Sequence, residues 1–181
     1  MGLLPSIGPE RPRINRAPSP LVARGLPWLT VILGSLLPHW LLIASAPIAP
    51  PMGFLLFVAW RQLRPGLLPL WAGLPLGLCD DLVSGQPLGS AVLLWSLAAI
   101  ALDAIEARLP WRNFLTEWLV AIGLIVVYIL LGLAISNMAG AAASIPVIVP
   151  QIVISIFAFP LAGRIVATAD RLRLTPFVVV R

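Results

Sequence analysis

The feature that most restricts this chain is where its charge sits. All twelve basic residues are arginines, and they stand at the ends of long apolar runs. Sixty per cent of the 181 residues are hydrophobic and 10% are charged, with a mean hydropathy of +1.00. A soluble domain carries about 25% charged residues, so this chain is composed for hydrocarbon. A helix needs about 20 apolar residues to cross about 30 Å of lipid, and six runs approach that length. The prediction is an all-α integral membrane protein, a bundle of six transmembrane helices over approximately 26–46, 48–63, 67–83, 88–109, 114–135 and 145–166. A Pro/Arg-rich tail, 1–25, precedes this transmembrane domain of 26–167, and a second tail, 168–181, follows it.

The arginines also orient the bundle. Six crossings put Arg11 to Arg24, Arg61 and Arg64, Arg108 and Arg112, and Arg164 to Arg181 on one side. Loops rich in arginine stay cytoplasmic, so both termini are expected there, in a multi-pass membrane protein. The net charge of +5 therefore reports topology, and nucleic acid is not an expected partner. Residues 1–25 hold five prolines and no apolar core, which excludes a signal peptide. The second run is the weak one, because about twelve to fourteen helical residues cover only roughly 20 Å and a re-entrant hairpin would also fit. Arg61 and Arg64 favour a crossing, since otherwise they would face outside.

Two adjacent carboxylates interrupt the middle of the chain, within Gly-Leu-Cys-Asp-Asp-Leu-Val-Ser-Gly-Gln-Pro-Leu-Gly at 77–89. A helix over 67–83 places Gly73, Gly77 and Ser84 on one stripe, with Asp80 and Asp81 on its shoulders. Glycines four apart admit a second helix closely, which is how helices associate in lipid. Ser84, Gly85, Gln86 and Pro87 form a turn, and Pro87 suits the first turn of a helix starting near Leu88. The carboxylates either end a helix at headgroup depth or meet a partner; ion transport would place them nearer the midplane.

No catalytic constellation emerges. Asp81 and Asp103 cannot form a membrane aspartyl dyad, because about 22 Å of helix separates their depths. His39, the only histidine, faces no nucleophile motif at Ser35 or Ser84 and is read as an interhelical hydrogen bonder. One cysteine, Cys79, reads as packing, and neither metal-ligand spacing nor a phosphate loop is present, so no cofactor is expected. Asp103, Glu106 and Arg108 read as a solvated helix end.

Gly77, Asp81, Leu82, Ser84, Gly85, Leu88 and Gly89 make a Gly-x-x-x-Asp-Leu-x-Ser-Gly-x-x-Leu-Gly pattern that resembles the MreD family of rod-shape-determining membrane proteins. Residues 51–60, an apolar run ending in Trp60, look like that family's second helix. The resemblance implies a non-catalytic component of the cell-elongation machinery, working with the single-span protein MreC, the MreB filament and the peptidoglycan polymerase and transpeptidase. The motif together with the glycine stripe makes Gly73, Gly77, Asp81, Ser84, Gly85 and Gly89 candidates for partner binding or helix packing. Asp80 and the long N-terminal tail depart from the family pattern. The rival reading is a small-molecule transporter or substrate-binding membrane subunit, which a central polar pocket would favour.

Overall fold

The computed structural model describes residues 16–17, 20–41, 49–108, 113–174 and 178–179. It has six α-helices: α1 (Pro20–Leu41), α2 (Met52–Leu63), α3 (Gly73–Ser84), α4 (Ser90–Arg108), α5 (Phe114–Met138) and α6 (Ile145–Arg173). Three of them, α4, α5 and α6, are long and apolar enough to cross a membrane. Two-residue strands β1 (Arg16–Ala17) and β2 (Val178–Val179) pair antiparallel, holding the ends of the chain together.

One of the two shortest helices, α2, has the most protein around it. Every residue of α2 from Met52 to Gln62 is buried, and α2 packs against α1, α4, α5 and α6. A helix apolar on every face belongs inside a bundle, where it need not match the lipid thickness by itself. That resolves the oddity of the second run: its length is short because its neighbours, rather than lipid, surround it. Phe54 stacks on Tyr128 with ring centroids 4.1 Å apart, and Phe57 meets Trp95 at 5.1 Å. Trp60 Nε1 donates to Thr30 Oγ1 at 2.9 Å, which satisfies the indole donor of this fully buried side chain. A Cβ on Gly34 would come within 3.2 Å of Gly53 N and Cα, so these two glycines set the closeness of α1 to α2.

Several helix bounds differ from those read in the sequence, for identifiable reasons. The third helix begins at Gly73 rather than 67: Pro69 is extended, with ψ of 161°, and a 3-10 turn over Leu70–Ala72 intervenes. Pro75 then falls in the first turn, where its missing N–H costs nothing. The fourth helix starts at Ser90, because Gly89 has φ of +93°. Conversely α1 starts at Pro20, α5 runs to Met138 and α6 continues to Arg173. Helices can extend beyond the hydrocarbon into water, and an apolar window stops at the first polar residues. The side chain of His39, most of the N-terminal tail, the turn after α1 through Pro47, and residues 109–112 with Arg112 lie outside the described residues.

Candidate functional site

The glycine, aspartate and serine pattern at 77–89 becomes a locked hairpin of α3 and α4. On the seam, a Cβ at Gly73 would sit 2.9 Å from Ser96 N, and one at Gly77 would sit 2.7 Å from Ala91 O and from Val92 N and Cα. The stripe thus meets the backbone of α4. Gly85 ends α3 in the left-handed region, with φ of +66°, and Gly89 turns the chain into α4 with φ of +93°. Side chains rarely adopt either conformation, so the pattern needs glycine at both points.

Asp81 fastens the hairpin. It is 3% exposed, and four donors from the start of α4 converge on its carboxylate. Oδ1 accepts from Ala91 N at 2.8 Å and Ser90 Oγ at 3.0 Å, while Oδ2 accepts from Gly89 N at 2.9 Å and Val92 N at 3.3 Å. The first amides of a helix lack intrahelical acceptors, and a negative charge there also meets the positive end of the helix dipole. An aspartate of one helix therefore caps the next one. Asp80 shares none of these donors, although it too is buried.

Beside this turn, a cleft of about 290 Å³ lies among the α3–α4 connection, α5 and α6. Ser84, Gln86, Tyr128, Ser136 and Gln151 supply its polar lining, and Ile129 and Ile148 part of its apolar lining. Ser84 Oγ and the Tyr128 hydroxyl are buried without a hydrogen-bond partner among the described residues. The α5–α6 loop at this end is closed by Asn137, which bonds both N and O of Ala143 at 2.8 Å.

Residues 21–163 match the family model described as rod shape-determining protein MreD. The chain belongs to the MreD family. It is accordingly a rod-shape-determining membrane component, and the hairpin is how this MreD-family chain joins α3 to α4. No curated protein and no solved structure matches it.

The opposite end of this MreD-family bundle holds the charge. Arg61, 6% exposed at the end of α2, donates to Leu68 O at 2.8 Å and pairs with Asp103 of α4. Asp103 is thus not merely a solvated helix end. Asp170 of α6 accepts from Arg64 at 2.8 Å and Arg173 at 2.6 Å, and Arg173 also reaches Ala23 O of α1 at 3.2 Å. The hydrogen bond to Asp170 raises the Arg64 pKa above the usual arginine range, though Arg64 is half exposed and its pairing is screened. These links tie the ends of α2, α4 and α6 to the start of α1. Asp81 and Asp103 consequently stand at opposite ends of α4. The sequence carried a signal for this network in Arg61, a charge continuing an apolar helix, but not for its partners. Among the described residues no group of acids, histidine or cysteine could hold a metal.

Proposed function

We propose that the chain is a non-catalytic scaffold of the cell-elongation machinery in the bacterial inner membrane, and that its 290 Å³ cleft receives the membrane-proximal segment of the single-span protein MreC. The MreB filament and the peptidoglycan polymerase and transpeptidase would join through that complex. The observation that carries the reading is the pair of buried hydroxyls in the cleft, of Ser84 and Tyr128, that have no hydrogen-bond partner among the described residues. A buried polar group left unpaired costs about 1–3 kcal/mol, which backbone groups of an inserted partner segment would recover. The lining has no charged side chain, so it suits uncharged backbone better than an ionic substrate.

Crosslinking tests this. Ser136→Cys in a Cys79→Ser background should crosslink to cysteines placed along the membrane-proximal segment of MreC, whereas Leu93→Cys, exposed on α4, should not. Ser84→Leu should abolish the Ser136 crosslink at equal membrane levels. Equal crosslinking at both sites, or none at Ser136, rejects the cleft as the docking site.

The same reading puts the cleft outside and both termini in the cytoplasm. A cysteine at Ala141, in the exposed α5–α6 loop, should react with an impermeant thiol reagent in intact spheroplasts. One at Arg64 should react only after the membrane is opened. The reverse pattern overturns the orientation.

A further inference from the structure

The arginine-bearing end has a cleft of its own, about 310 Å³, between the end of α2, the start of α5 and the middle of α6. Leu63, Phe159 and Pro160 give it apolar walls, and two opposite charges, Glu117 and Arg164, also line it. Neither is in an ion pair among the described residues. Gln62, 6% exposed, fixes the position of Glu117 by donating from Nε2 to its backbone carbonyl at 3.1 Å. Arg164 precedes Asp170 by six residues, about 9 Å along α6, and Asp170 is bonded to Arg64 just beyond α2. The cleft therefore spans the boundary between headgroups and acyl chains, where a long arginine side chain can lift its charge toward water.

We propose that this cleft holds one phospholipid from the leaflet on the arginine side, a zwitterionic lipid with a primary ammonium headgroup of the phosphatidylethanolamine type. Its phosphate meets Arg164, its ammonium meets Glu117, and an acyl chain lies over Phe159, Pro160 and Gly163. The argument is charge complementarity. A carboxylate and a guanidinium that share a cleft without pairing match a headgroup that carries both signs. An anionic glycerol headgroup satisfies Arg164 but offers Glu117 only neutral hydroxyls and no positive charge, so the charge-assisted contact is lost. A quaternary ammonium keeps the charge yet has no N–H to donate to the carboxylate.

The test uses the full chain in detergent, with phosphatidylethanolamine and phosphatidylglycerol added in equal amounts, and counts retained lipids by native mass spectrometry. Wild type should retain one phosphatidylethanolamine, preferred over phosphatidylglycerol by about tenfold. Glu117→Gln should still retain lipid, with the preference reduced to near parity. Arg164→Gln should lower retention of both lipids by about tenfold. Gly163→Phe should exclude both, since nothing lies within 4 Å of a Cβ there and the added ring projects into the cleft rather than into the fold. An unchanged lipid ratio in Glu117→Gln, or unchanged retention in Arg164→Gln, would mean that the two charges serve only each other or solvent, and would overturn the proposal. The measurement needs no protein partner, so its outcome is independent of whether MreC occupies the other cleft.

Discussion

Gly77→Leu should prevent the α3–α4 hairpin from closing, and it should leave little folded protein in the membrane. The reason is what the new side chain meets. A Cβ at position 77 lies 2.7 Å from Ala91 O and from Val92 N and Cα, all of them backbone atoms that cannot rotate away. Even Gly77→Ala must push the helices apart, and overpacking of this kind costs about 1–3 kcal/mol. Leucine adds three more carbons and should exceed that range. Gly123→Ala is the matched control, because nothing lies within 4 Å of its Cβ and alanine is the better helix former. Leu78→Ile, on the exposed face of α3, should also be mild. Thermal unfolding in detergent, followed by size-exclusion chromatography, compares the four variants. If Gly77→Ala melts with Gly123→Ala, the close approach of α3 to α4 is wrong.

How much of this was legible in the sequence differs by type of interaction. Apolar runs and arginines marked the helices, since both report directly on the solvent each residue requires. Glycines at 73 and 77 marked a close approach, yet not its partner; only folding shows that α4 follows so tightly that it fills the seam. The Gly34–Gly53 contact left no regular spacing within one helix and was invisible. So was the central place of α2, because burial among protein and burial in lipid select the same apolar residues. Arg61 with Asp103, and Arg64 with Asp170, join residues far apart in the chain, and single charges near helix ends read equally well as solvated. The motif around 77–89 carried more than its apolar neighbours because its turn glycines and its carboxylate each satisfy a local backbone need.

Asp81→Leu should destabilise the bundle by about 3 kcal/mol, the upper end of what a lost helix cap and unsatisfied buried donors cost. Three amides, of Gly89, Ala91 and Val92, and the Ser90 hydroxyl would lose their acceptor at once. With Asp81 only 3% exposed, little water can reach these donors to replace it. Asp81→Asn keeps the acceptor that serves Ser90 and Ala91 but turns an NH2 group toward Gly89 and Val92, so it should lose roughly half as much. Asp80→Ala should leave this cap in place, because all four donors bond to Asp81. The ordering separates a cap from a charge that meets a partner directly. If Asp81 acts by holding the turn, crosslinking of MreC to Ser136→Cys should fall in step with the thermal stability of each variant. A direct charge contact would instead remove crosslinking in Asp81→Asn while leaving stability near wild type. Wild-type melting of Asp81→Leu would eliminate the cap altogether, and with it the reason the Gly-x-x-x-Asp spacing puts the carboxylate one turn after the glycine that lets α4 approach.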